Sequence, residues 1–339
     1  MSRPALLPYG LLLALLALAA AAAGIASLLV GPSSVGMADL LAWLRGAWPG
    51  GTDDPAARLI LAEVRLPRAI LGLAIGAILG LSGAALQGFL RNPLAEPGLI
   101  GVSASAALGA VLVFYFGLAG LAFAVPLAGM AGAICAVVLV QLLAGRESGS
   151  MALILAGIAV TSFAGAMTSL ALSLAPSPFA AFEIVFWLLG SLADRSMSHV
   201  TLALPFMVAG AVMLLALGRS LDGLSLGEDA ARSLGINLRL SRNLLVVGTA
   251  LGVGAATSVA GVIGFVGLVV PHLLRPLVGG LPGRLLPASA LGGAALTALA
   301  DVATRVLGGG SELKLGVVTA LVGAPFFFAL VLRERRRLV

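Results

Sequence analysis

LPRAILGLAIGAILGLSGAALQGFLRNPLAEPG, residues 66–98, decides the fold. Between Ala69 and Leu90 the run holds no Asp, Glu, Lys or Arg. Its length meets the roughly 20 apolar residues that a helix needs to cross a hydrocarbon core. Gly72, Gly76 and Gly80 recur at every fourth position, so they lie along one helix face, where in lipid a second backbone can come close. The run stops at Arg91. Asn92-Pro93 and Glu96-Pro97-Gly98 then force non-helical backbone, which is tolerated at membrane depth where it is buried in protein or lines a cavity. A pore constriction and an ordinary tight loop both fit these residues.

Outward from this stretch the pattern repeats. The chain has 339 residues, 60% hydrophobic and 10% charged, with mean hydropathy +1.13, against about a quarter charged in a soluble domain. Polar breaks separate apolar segments at 11–30, 66–90, 99–116, 123–144, 151–174, 199–217, 244–263, 264–274, 285–306 and 315–332. The predicted fold class is all-α: a polytopic membrane protein with ten transmembrane helices, one of them short. Ala21, Ala22 and Ala23 resemble a signal-cleavage region, but the first run has the length of a full span and is read as a retained helix.

The polar residues exclude whole function classes. One cysteine (Cys135), two histidines (His199 and His272) and one lysine (Lys314) allow no disulfide framework and no protein-built zinc site. Lys314 lies between Leu313 and Leu315, so the chain lacks the Lys-Ser/Thr pair of a phosphate-cradling loop. The pI of about 10.9 does not mark a nucleic-acid binder, because the arginines are spread among loops. With the N-terminus inside, 13 of the 20 basic residues fall on the cytoplasmic side and 7 outside. Both termini of this multi-pass protein are therefore expected in the cytoplasm. Ion-coupled carriers need acids near mid-membrane, whereas Glu183 and Asp301 fall near outer helix ends. A membrane-embedded enzyme would need a His, Cys or carboxylate cluster that the sequence does not offer. A faint likeness between the stretches around Ser82-Gly83-Ala84 and Ala260-Gly261-Val262 hints at two related halves.

Three further features stand out. In the longest polar stretch, 218–243, Ser225 and Glu228 have capping-box spacing, Leu226, Ala230 and Leu234 follow at i, i+4 and i+8, and Gly235 stops the helix. Asn237 can cap a second helix carrying Arg239 and Arg242. Such a helix either floats in the lipid interface or forms a knob held in a groove of a soluble partner. Asp301 and Arg305 are spaced to pair on one helix face, which would fix the Arg at the outer surface. His272, following Pro271, reads as a structural hydrogen-bonder.

RLPR (65–68), RNPLAEPGLIGVS (91–103), LGEDAARSLGI (226–236), GFVGLVVPHLLR (264–275) and ELKLGVVTALVGAPFF (312–327) together resemble the iron-chelate and cobalamin permeases of type II ABC importers, the FecCD family, over nearly the whole chain. The resemblance implies a single permease domain over residues 1–339, pairing with a second copy of itself around a pore on the two-fold axis. It also implies a place in a bacterial inner membrane, with two ABC ATPase subunits inside, a periplasmic substrate-binding protein outside and surrounding membrane lipid, and with no nucleic acid. No cofactor would be bound by this chain, ATP and Mg being held by the partner ATPase, and the chain itself would not be an enzyme. The family's docking arginines match Arg65, Arg68 and Arg305. Its coupling helices match about 218–242, with Ser225, Leu226, Gly227, Glu228, Asp229, Ala230, Ala231, Arg232, Leu234 and Gly235 entering the ATPase groove. Its cytoplasmic gate matches Asn92, Leu94, Gly149 and Ser150, where Gly149 departs from the hydroxyl residue of the cobalamin importer. The cargo implied is an iron chelate, a ferric siderophore or heme, with cobalamin as the alternative. Heme would be favoured if His199 met its dimer mate or Met197 in the pore.

Overall fold

A computed structural model describes residues 7–33, 35–46, 55–145, 150–308 and 313–338. The described chain forms helices α1 (Tyr9–Leu29), α2 (Met37–Gly46), α3 (Pro55–Leu59), α4 (Leu66–Leu90), α5 (Val102–Tyr115), α6 (Ala124–Ala144), α7 (Ser150–Ser173), α8 (Pro178–Leu188) and α9 (Met197–Leu215). They continue as α10 (Gly218–Leu224), α11 (Glu228–Ser233), α12 (Leu238–Ala260), α13 (Val266–Leu274), α14 (Pro282–Leu307) and α15 (Leu315–Leu338). A π turn, Ile60–Arg65, joins α3 to α4. Among the described residues, eight helices are long and apolar enough to cross a membrane. The ten expected segments are these eight together with the shorter α5 and α13.

The centre of the molecule is the antiparallel pair α4 and α14, with α12 against α4. Alanine side chains on the glycine face of α4 would collide with backbone: a Cβ at Gly76 would lie 2.2 Å from the Gly293 carbonyl oxygen, and one at Gly80 would lie 2.1 Å from that of Ser289. Two of the three glycines read from the sequence, Gly76 and Gly80, thus set the distance between the two axes, whereas a Cβ at Gly72 would meet nothing closer than 3.4 Å. In lipid, where apolar burial between helices yields little, close packing of this kind is what holds helices together. α1 is tied to α14 at both ends. Tyr9 donates to the Arg284 carbonyl (3.1 Å) under the Arg284 guanidinium at one end, and Arg305 bonds Ser27 at the other.

Several boundaries differ from expectation. The segment from 99 begins as a 3-10 turn, Pro97–Ile100, and becomes α-helical only at Val102, after Gly101 at φ +80°. α8 went unpredicted, because 11 residues fall short of a span. The helix capped by Asn237 is not a separate element: Asn237 accepts from the Leu240 amide (3.0 Å) and opens α12, which runs unbroken to Ala260. Beyond α12, residues 261–264 are non-helical before α13 starts, and this segment meets two other helix ends. Ser191 donates to the Ala260 carbonyl (2.7 Å), and Gly316 at the head of α15 donates to Gly190 (3.3 Å).

Candidate functional site

Three places carry the residues singled out from sequence. The first is the junction of α1, α4 and α14 at their expected outer ends, where Arg65, Arg68 and Arg305 come together. None of them reaches freely outward. Arg65 is 3% exposed, and its guanidinium donates to the carbonyls of Leu28, Leu29, Ser33 and Val35 and to the Ser33 hydroxyl. It therefore satisfies carbonyls left unpaired at the C-terminus of α1, a position where a cation is favoured. Arg68 forks onto both oxygens of Asp301 at 2.9–3.0 Å, and Arg305 donates to Oδ2 of the same carboxylate at 3.0 Å. Side-chain exposures are 12% for Arg68, 6% for Arg305 and 1% for Asp301. The i, i+4 pair of Asp301 and Arg305 forms as expected, but inside the junction rather than on its surface. The reason is stoichiometric: one buried carboxylate is shared by two arginines, and such a charge is tolerated only when fully partnered.

The second place is the loop between α4 and α5. Arg91 adopts a left-handed conformation, φ +50°, and ends α4. Asn92 accepts from the Leu94 amide at 2.9 Å, making a side-chain-closed turn. The loop then wedges between two helices. Thr161 of α7 donates to the Gly98 carbonyl (3.2 Å), and a Cβ at Gly157 would lie 1.9 Å from the Leu99 carbonyl oxygen. Gly157 and Thr161 are two and three turns into α7, roughly 10 to 17 Å from its start at 1.5 Å per residue, so the 3-10 turn lies well along the bundle. Gln87 clamps the other side, donating to the Gly267 carbonyl (3.3 Å) while accepting from Arg275 (2.6 Å). The structure therefore favours non-helical backbone buried in protein over a simple surface loop. Of the remaining gate residues, Ser150 begins α7, and Gly149 lies outside the described residues. Glu96, half-buried here, has its carboxyl raised above the ordinary value by desolvation.

The third place is the α10–α11 pair. The capping box of Ser225 and Glu228 does not form. Ser225 closes α10 and its hydroxyl donates to the Asp222 carbonyl (2.6 Å). Gly227 at φ +108° turns the chain before α11, and that turn carries Ser225 away from the first amides of α11. The helix is accordingly Glu228–Ser233, shorter than the 226–234 stripe suggested. Asp229 and Ala230 lie in its first turns, Glu228 and Asp229 pair with Arg232, and Ala231 is buried beneath. Gly235, φ +79°, stops it as expected. Its amide bonds the Arg232 carbonyl and that of Ile236 bonds the Ala231 carbonyl, the double bond of a Schellman ending. Leu226 and Leu234 are left 70% and 64% exposed. A residue not foreseen, Asp222, anchors the pair by accepting from the Gly283 amide (2.7 Å) at the N-terminus of α14, where a carboxylate is favoured. Among the described residues no three His, Cys, Asp or Glu side chains converge as a metal site.

Residues 16–333 match the profile of the FecCD transport family. The chain is 40% identical to the cobalamin import system permease protein BtuC of Halobacterium salinarum over 82% of this chain and 74% of that one. It is 36% identical to the hemin transport system permease protein HmuU of Yersinia pestis over 90% and 92%. Among solved structures it is similar to one described as an inward-facing conformation of a metal-chelate type ABC transporter, with TM-score 0.83 and 31% identity over 95% of this chain and 98% of that one.

Proposed function

The chain belongs to the FecCD transport family, and from that premise we propose that it is the permease subunit of an ATP-driven importer of metal chelates, heme or cobalamin. Two copies would enclose the pore, with two separate ABC ATPase subunits on the cytoplasmic side and an extracytoplasmic binding protein outside. The observation that carries this reading is the α10–α11 pair: Leu226 and Leu234 stand exposed on a knob held firmly through Asp222 and the Schellman ending. Exposed apolar residues on a rigid mount suit a groove in a soluble partner. ATP-driven closure of the partners would push this knob. The motion would reach α14 through Asp222 and α12 through Asn237, and would alternate access past Asn92 and Leu94.

The cargo we favour is an iron chelate, either a ferric siderophore or heme, a reading supported by the likeness to the metal-chelate transporter and to the hemin permease. Cobalamin is the second reading, supported by the 40% identity to a cobalamin import permease. Binding-protein docking is proposed for the outer ends of α1, α4 and α14. There Arg65, Arg68 and Arg305 converge, and of the three Arg68 keeps the most surface. The test is uptake of labelled heme, ferric siderophore and cobalamin by cells carrying the assembled transporter, with Leu226→Asp/Leu234→Asp as the coupling-deficient control. Retention of uptake and of ATPase co-purification in that variant would sink the coupling proposal, and uptake of none of the three cargoes would sink the cargo proposal.

A further inference from the structure

A pocket of about 350 Å³ opens at the expected outer end of the bundle, between the end of α5, the start of α6, the end of α8 and the start of α9. It has no part in the docking, gate or coupling places. Its walls include Phe114 and Trp187, whose rings lie 6.2 Å apart and tilted by 54°, and Phe123, held at φ +61°. Three polar side chains line it, Arg195, His199 and, at the end of α12, Ser258, whose hydroxyl is spent on the Ala255 carbonyl (2.8 Å).

Arg195 and His199 carry hydrogen-bond donors. The Nε of Arg195 is buried and has no hydrogen-bond partner among the described residues, a costly state for a charged donor. Burial lowers the Arg195 pKa, and nearby Asp194 offsets this only in part. His199 accepts the Ser196 amide hydrogen at Nδ1 (3.3 Å). Its neutral ring therefore carries the proton on Nε2, a second donor. Apolar walls with a few convergent polar groups, in a volume of some 300 Å³ or more, are the general form of a small-molecule site. The donors select an anionic oxygen group, and the aromatic walls select a flat apolar body beside it.

We propose that this pocket binds a small organic acid, its carboxylate on Arg195 and His199 and its planar body against Phe114 and Trp187. Binding needs only this chain, so the outcome is independent of whether the chain imports a chelate.

The test uses the full chain in nanodiscs of zwitterionic phosphatidylcholine, dialysed against 2-naphthoate or its neutral counterpart 2-naphthalenemethanol, with empty nanodiscs subtracted. The acid should bind saturably, and about tenfold or more tighter than the alcohol. Arg195→Gln should remove that preference and Arg195→Lys should restore part of it. If Arg195→Gln fails to fold, the acid-to-alcohol ratio of the unmodified chain and of His199→Gln decides. Equal retention of acid and alcohol by the unmodified chain, or an undiminished preference in a folded Arg195→Gln, overturns the proposal. Nanodiscs containing phosphatidylglycerol separate a soluble acid from a lipid headgroup: unweakened naphthoate binding supports the proposal, and displacement overturns it.

Discussion

Arg68 and Asp301, 233 residues apart, are joined by three hydrogen bonds of 2.9–3.0 Å, and Oδ2 of Asp301 accepts from Arg305 as well. One carboxylate thus pins the outer ends of α4 and α14, and through Arg305 it also reaches α1.

Removing the carboxylate should cost more than removing either arginine. Asp301→Ala leaves two nearly buried guanidiniums uncompensated, a loss of about 3–5 kcal/mol, and should lower the thermal midpoint of the detergent-solubilised chain markedly. Arg68→Leu leaves Asp301 its Arg305 partner and should cost less. Equal midpoints for the two variants would show that the cluster is not a shared-carboxylate unit.

Gly76→Ala places a methyl 2.2 Å from the Gly293 carbonyl oxygen, which only separation of α4 from α14 can relieve. Overpacking of this kind costs about 1–3 kcal/mol. Gly10→Ala, where no atom lies within 4 Å of the added carbon, is the matched control. Similar thermal midpoints for the two would contradict the close-approach reading.

At the knob, Leu226→Asp and Leu234→Asp alter exposed side chains and should change the stability of the isolated chain by no more than about 0.5 kcal/mol, while sharply reducing ATPase co-purification. Gly235→Ala should act differently, because a left-handed alanine costs about 1 kcal/mol and loosens α11 itself. Pull-down yield against thermal midpoint separates the two behaviours.

Glu96 supplies a pH dependence. Its folded-state pKa lies above the ordinary 4.5 because burial disfavours the carboxylate. Between those two values the unfolded chain has lost its proton while the folded chain keeps it. The contribution to stability is therefore whole below about 4.5 and declines as pH rises through the folded-state value. Glu96→Gln should flatten that decline and raise stability at neutral pH. An unchanged slope in the variant would remove Glu96 as its source.

What could be read beforehand was local. The bounds of α4, its glycine face, the Asn237 cap and the stop at Gly235 all follow from residues within a few positions of one another, where helix periodicity and capping chemistry act. The burial of Arg65, Arg68 and Arg305 could not be read this way, because most of the groups that bury them lie on other elements, 30 to 278 residues distant along the chain. Spacing placed Asp301 beside Arg305 but could not show that Arg68 arrives at the same carboxylate. The capping box failed for a local reason that composition hides: Gly227 between its two members takes a backbone turn that Ser-x-x-Glu spacing does not register. Asp222 drew no notice because its partner is a backbone amide of α14, and a lone aspartate carries no sign of where it will be used.

α12 is a single rod of 23 residues, about 34 Å long at 1.5 Å per residue. Rods transmit angle. Its Asn237 end adjoins the knob, and its Ala260 end bears on the Leu189–Ser191 turn, which in turn accepts from the first residues of α15. A tilt of about 5° at the base of such a rod sweeps its tip by roughly 3 Å, comparable to the length of one hydrogen bond. A rock of the knob too small to break any helix can therefore part or restore the Ser191 and Gly316 bonds at the opposite face. In the proposed importer the two faces of the membrane would then open in opposition by leverage alone, with no signal relayed side chain by side chain through the lipid-facing helices.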